Sequence, residues 1–167
     1  SAMSAALRQT TLVLSDADAT RQLAERLAFA LAPGDVVLLD GPIGAGKTHF
    51  ARAFIQARLA AAGQSEDVPS PTFTLVQTYL AGQVEIWHAD LYRLTHPEEI
   101  AELGLEQAFT DAICLVEWPD RLGPFKPDTA LEVTLTPDAR TDARIAQFSG
   151  DSARWRRVFD LLETFDV

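Results

Sequence analysis

Gly41-Pro42-Ile43-Gly44-Ala45-Gly46-Lys47-Thr48 follows the apolar run Val36-Val37-Leu38-Leu39 and precedes an Ala- and Arg-rich segment of helical character. It has the form G-x-x-x-x-G-K-[ST], in which glycines let backbone N–H groups curl around phosphates at φ values and approach distances that a Cβ would block. Lys47 is then expected to reach β- and γ-phosphates, and the Thr48 hydroxyl to face Mg²⁺. A helix starting near Gly46 adds the positive end of its dipole. An ordinary glycine-rich turn is the competing reading, and the strand-before, helix-after setting argues against it. The expected nucleotide contacts are Gly41, Ile43, Gly44, Ala45, Gly46, Lys47, Thr48 and His49.

At 167 residues the chain suits one domain with one site. Ser1-Ala2-Met3 reads as a cloning remnant, which leaves residues 4–167 as that domain. A net charge of −10, from 14 basic and 24 acidic side chains, repels nucleic acid at long range. RNA, if involved, is expected to be held by another protein. The one cysteine, Cys114, lies inside an apolar run, so neither disulfide nor zinc nor thiol chemistry is indicated. With no apolar stretch of membrane-spanning length and no signal-peptide pattern, a soluble cytoplasmic protein with no membrane partner is expected.

Working outward, Thr10 to Leu14 reads as a strand, and Ser15 or Asp16 caps a helix with apolar positions Leu23, Leu27, Ala30 and Leu31, stopped by Pro33-Gly34. Asp35 to Asp40 reads as a strand buried on both faces of a parallel sheet. His49 to Ala62 reads as helix, and Gln64 to Pro71 as a mobile loop near the nucleotide. Thr72 to Leu80 and Gln83 to Leu91 form a hairpin about Ala81-Gly82. Pro97-Glu98-Glu99 opens a short helix to Leu103, with another turn from Leu105 to Phe109. Ala112 to Trp118, Thr129 to Thr136 and Arg144 to Ser149 are expected strands, before a helix from Asp151 or Ser152 to about Glu163. The element order implies an α/β fold, a three-layer P-loop NTPase with a mixed, mainly parallel sheet. Strand order does not follow from these patterns.

A phosphate loop needs an acid for the magnesium shell at the end of a neighbouring buried strand. Glu117, closing Ile113-Cys114-Leu115-Val116, supplies one, to bind Mg²⁺ or to orient the attacking water. In His88-Ala89-Asp90, alternation puts His88 and Asp90 on one face. Asp90 is the better metal candidate, since hard oxygen suits Mg²⁺ and imidazole does not; His88 alone reads more readily as structural. Thr48, Asp90 and Glu117 are thus the candidate metal residues, and Lys47, Asp90 and Glu117 the candidate catalytic ones. Ser70-Pro71-Thr72-Phe73-Thr74 offers hydroxyls where a γ-phosphate sensor would sit, or plain strand-start chemistry. Arg93 could contact phosphate or a partner, and Trp118 reads first as a core aromatic.

In order the chain carries GPIGAGKT, SPTFTLV, HADLYRL, PEEIAELGL and ICLVEWPD. This combination resembles the TsaE (YjeE) family, over roughly Asp35 to Asp120. The resemblance implies an ATPase required for threonylcarbamoyl modification of the adenosine beside the anticodon in tRNA. It implies ATP and Mg²⁺ at Gly44, Gly46, Lys47 and Thr48, switch-like segments at Ser70 to Val76 and His88 to Arg93, and Asp90 and Glu117 near metal and water. It also moves Trp118 into the nucleotide site. The implied partners are TsaB-like and TsaD-like proteins, with tRNA contacted only indirectly. Three positions depart from the family pattern: Pro42, where an acidic residue is common; His49, where a small hydroxyl residue is common; and, mildly, Asp120, where Glu is frequent. A small-molecule kinase and a nucleotide-sensing binding module without required hydrolysis are the alternatives; no arginine-rich lid insertion supports the former. A guanine-reading N-K-x-D is excluded because the chain contains no asparagine.

Overall fold

Val36 to Leu39 are all buried, as are all five residues from Ile113 to Glu117. Such continuous apolar strands are stable only with both faces covered. In the computed structural model, which describes residues 6–165, they lie side by side at the middle of a seven-stranded sheet. Ser1-Ala2-Met3 falls outside the described residues.

The elements in chain order are β1 (Leu7–Leu14), α1 (Ala17–Leu27), β2 (Val36–Asp40), α2 (Lys47–Ala61), β3 (Val76–Ala81), β4 (Val84–Asp90), α3 (Glu99–Leu103), α4 (Leu105–Asp111), β5 (Ile113–Glu117), β6 (Leu131–Pro137), β7 (Arg144–Asp151) and α5 (Arg156–Thr164). A 3₁₀ segment spans Pro119–Phe125. The sheet order is β1-β7-β6-β2-β5-β4-β3. Strands β6, β2, β5 and β4 are mutually parallel, and β7 and β3 pair antiparallel at either side of them. Strand β1, antiparallel to β7, again runs with the central strands. Helices α1, α2 and α5 cover one face; α3, α4 and Leu122 of the 3₁₀ segment cover the other. The three-layer, mixed and mainly parallel architecture agrees with the expectation.

The boundaries differ in instructive ways. Strand β1 begins at Leu7 rather than Thr10, because Leu7, Arg8 and Gln9 are recruited by Asp151, Gly150 and Ser149 of β7. Helix α1 is capped as expected, Asp16 Oδ1 accepting from Ala19 N at 2.8 Å, but ends at Leu27 rather than Leu31. Its tail tightens into i→i−3 bonds, Phe29 N to Arg26 O and Ala30 N to Leu27 O. The hairpin turn is Gly82-Gln83, one residue later than expected, with Ala81 paired to Val84. Residues 72–75 are turn rather than strand. Leu75 takes φ +68°, and its N–H goes to Pro71 O at 2.8 Å while its carbonyl accepts from Asp90 N at 2.8 Å. The last helix starts at Arg156, after turns in which the Trp155 indole lies against Gly150 and donates to Thr129 O at 2.9 Å.

Gly41 fixes where the phosphate loop leaves the sheet. Its φ is +137°, and a Cβ there would lie 2.2 Å from Leu135 O of β6. The loop therefore rests directly on β6 backbone. Gly41→Ala combines a left-handed residue with a backbone clash, and is expected to lower unfolding free energy by about 3 kcal/mol in urea denaturation. A loss below about 1 kcal/mol would contradict this close approach.

Candidate functional site

Strands β2, β5 and β4 end level with one another: Leu39 pairs with Glu117, and Glu117 with Asp90. The chain leaves β2 through the glycine loop into the first turn of α2, whose N-cap, Gly46, takes φ +102°. Loop, helix N-terminus and strand-end acids thereby meet at the carboxyl edge of the parallel strands, where open α/β sheets hold ligands. They line a cleft of about 440 Å³ with Ile43, Gly44, Ala45, Gly46, Lys47, Thr48, His49, Asp90, Glu117 and Trp118 among its walls. Of the expected contacts, Gly41 alone lies outside this lining. Thr72, Tyr92 and Arg93 complete the cleft.

Glu117 is 2% exposed, and its carboxylate is held from two elements. Thr48 Oγ1, on α2, lies 2.8 Å and 3.0 Å from its two oxygens, and His88 Nε2, on β4, lies 2.7 Å from Oε2. His88 is fully buried and its Nδ1 has no hydrogen-bond partner. With Nε2 as donor, His88 and Thr48 together serve the Glu117 carboxylate. His88 thus occupies a structural position beside a site acid, on the same face as Asp90. Asp90 is freer: Oδ1 accepts from Tyr92 N at 3.1 Å, and Oδ2 lies 3.5 Å from Thr72 Oγ1.

Lys47 is 5% exposed, and its Nζ donates to the carbonyls of Gly41 at 2.5 Å and Pro42 at 3.0 Å. The same ammonium sits 4.2 Å from the centroid of the Trp118 ring, a cation–π contact. Trp118 reaches it from an unusual backbone, φ +58° and ψ +55°, and stacks at 51° on Tyr92 with centroids 4.8 Å apart. Trp118 is accordingly a cleft residue as well as one packed on the core. Burial lowers the Lys47 pKa, opposed by Glu117, Asp40 and Asp90. Burial raises that of Asp90, opposed by the Tyr92 N–H and reinforced by Glu117.

Two of the departures, Pro42 and His49, have definite places. Pro42 contributes its carbonyl, which accepts from Ala45 N at 3.1 Å as well as from Lys47. Ala45 therefore lines the cleft with its N–H already committed inside the loop. His49 Nε2 lies 2.9 Å from Ala17 O at the start of α1. Two residues were not singled out as site residues from the sequence, although Tyr92 lies in the His88 to Arg93 segment. Tyr92 arrives because the chain turns after Asp90, a turn closed by that side chain. Arg144, the first residue of β7, donates Nε to Ala45 O at 3.0 Å and Nη2 to Gly44 O at 3.3 Å. In the Ser70–Val76 segment, Phe73 is 81% exposed with the Arg93 guanidinium 4.6 Å from its ring centroid.

A glycine loop joining a central parallel strand to a helix N-terminus, with acids at adjoining strand ends, defines a P-loop NTPase fold. The family model described as threonylcarbamoyl adenosine biosynthesis protein TsaE matches residues 14–145, and this chain belongs to that family. The tRNA threonylcarbamoyladenosine biosynthesis protein TsaE of Rickettsia felis is 43% identical over 124 residues, covering 74% of this chain and 71% of the relative. The Bacillus subtilis protein of the same name is 32% identical over 148 residues, covering 88% and 89%. The crystal structure of Bacillus subtilis YdiB superposes with a TM-score of 0.77 at 27% identity, covering 96% of this chain and 97% of that one.

The raised Asp90 pKa has a consequence for stability. The charged carboxylate is disfavoured in the folded chain relative to the unfolded one, so the penalty is absent below the unfolded value, 3.8, and complete above the folded one. Asp90→Asn is expected to raise the melting temperature near pH 7 without nucleotide or metal, the gain shrinking as pH falls toward 4. Thermal scans across that range check it, and a gain independent of pH would contradict the burial argument.

Proposed function

We propose that this chain binds and hydrolyses ATP with Mg²⁺, and that its hydrolysis serves threonylcarbamoyl modification of the adenosine beside the anticodon in tRNA, through TsaB-like and TsaD-like partners. The observation that carries the reading is the convergence of Lys47, Thr48, Asp90 and Glu117 on one cleft against the glycine loop. Family membership supports the pathway, and the net charge of −10 favours a component that leaves tRNA to its partners.

The donor set suits magnesium. Thr48 and the two carboxylates are hard oxygen ligands, and Mg²⁺ uses one or two carboxylates plus phosphate and water rather than a full protein cage. Among the described residues no group of three or more His, Cys, Asp or Glu forms such a cage. Thr48 and Glu117, already within 3.0 Å of each other, would hold the ion. When bound it would neutralise charge on the β- and γ-phosphate oxygens.

Lys47 would exchange its carbonyl partners for phosphate oxygens, a stronger charge-assisted contact. Asp90 would orient the attacking water through Oδ2, the oxygen with only a long contact to Thr72. Water oxygen bonds to the γ-phosphorus as the bond to the β-phosphate oxygen breaks, giving ADP, phosphate and a proton. Trp118 and Tyr92 would wall the cleft against bulk water. The protein's contribution is positioning and electrostatic stabilisation.

Purified chain, candidate partners, ATP and unmodified tRNA provide the test. Repeated modification turnover is expected with the wild type, falling at least about a hundredfold with Lys47→Ala or Glu117→Ala, as for loss of preorganised charge. Undiminished turnover in both variants would reject the hydrolytic role. A phosphorylated metabolite in place of free phosphate would instead identify a kinase.

A further inference from the structure

The Arg144 guanidinium touches four backbone carbonyls. Two belong to the phosphate loop, Ala45 O at 3.0 Å and Gly44 O at 3.3 Å; two belong to the β6–β7 connection, Asp142 O at 3.1 Å and Ala143 O at 3.3 Å. In a chain with 24 acidic residues, every hydrogen bond found for this cation goes to a main-chain oxygen. We propose that Arg144 is a positioning residue for the phosphate loop, through which the β6–β7 hairpin sets phosphate affinity. This rests on the nucleotide-site reading above.

The peptide plane supplies the reason. In a trans peptide the N–H points opposite the C=O to which it is joined. Holding Gly44 O outward turns the Ala45 N–H inward to Pro42 O, which closes the loop at 3.1 Å. Holding Ala45 O outward turns the Gly46 N–H away from Arg144, toward the cleft that Gly46 lines. A cation on the acceptor side also polarises these peptides and strengthens their N–H groups as donors. Arg144 is absent from the cleft lining, so its influence passes through the loop. A second support comes from the same hairpin, where Leu135 O of β6 abuts Gly41.

Arginine suits this task because its planar fork presents five N–H donors in fixed directions, spanning loop and hairpin at once. A lysine ammonium would keep the charge and lose the span. An alanine would lose both and leave Gly44 O and Ala45 O without these partners.

The experiment measures ADP affinity by calorimetry for the wild type, Arg144→Ala, Arg144→Gln and Arg144→Lys, with thermal melting of each without nucleotide. Loss of charge-assisted contacts is expected to weaken ADP about tenfold or more in Arg144→Ala and Arg144→Gln, with Arg144→Lys recovering only part. The Gly46 amide proton resonance should shift on ADP addition in the wild type and shift less in the variants, which a general loss of stability would not produce. Arg144→Gln, which keeps an amide donor, serves if the alanine variant fails to fold. Variants that bind ADP as the wild type does, with an unchanged Gly46 response, overturn the role of Arg144 alone. A wild type that does not bind ADP overturns the nucleotide-site reading and this inference with it.

Discussion

A carboxylate buried to 2% exposure must be given donors, and Glu117 takes them from Thr48 on α2 and His88 on β4. Leaving such a group unpaired would cost several kcal/mol, on the order of 3–5, so three elements are bound to one arrangement. The first turn of α2 must lie against the end of β5. Strand β4 must lie beside β5 in the register that sets Asp90 opposite Glu117. Since α2 begins where the glycine loop ends, the loop is fixed by the same requirement. Buried polar networks of this kind contribute little net stability and chiefly fix geometry, here with His88 Nδ1 as the one member left without a partner.

The neighbouring charges are less well served. Burial lowers the Lys47 pKa and raises that of Asp90, so each is held where its charged form is disfavoured. Polyphosphate beside Lys47 and a divalent cation beside the two acids would relieve both. Charged groups disfavoured by burial and gathered in a cleft are one mark of a candidate functional site. Trp118 and Leu75, the two non-glycine residues with positive φ among those described, flank the same cleft region or its adjoining turn. Such backbone persists only where its surroundings over-determine it.

Much of this was legible in the chain. Val36 to Leu39 and Ile113 to Val116 declare buried strands because nothing in them is polar. The glycine spacing declares the loop, and the period of a strand places His88 with Asp90. Strand order was hidden because parallel neighbours are chosen by pairing between distant segments, as when β6 inserts between β2 and β7. For the same reason Leu7 to Gln9 gave no strand signal: their partners in β7 lie at the other end of the chain. His88 looked structural, and its partner proved to be the site acid itself. Tyr92 depends on a side-chain-closed turn, and Arg144 on a hairpin folding back over the loop. Neither leaves a local spacing to read.

The most direct test of the account is calorimetric titration of ADP, with and without Mg²⁺, onto the wild type and Glu117→Gln. The glutamine keeps the shape, and its amide can accept from His88 Nε2 while donating to Thr48 Oγ1, so metal-free ADP affinity should match the wild type. The gain in affinity that Mg²⁺ brings to the wild type should vanish in the variant. A Glu117→Gln chain that retains the full Mg²⁺ gain would contradict the claim that this carboxylate joins the phosphate loop to the metal.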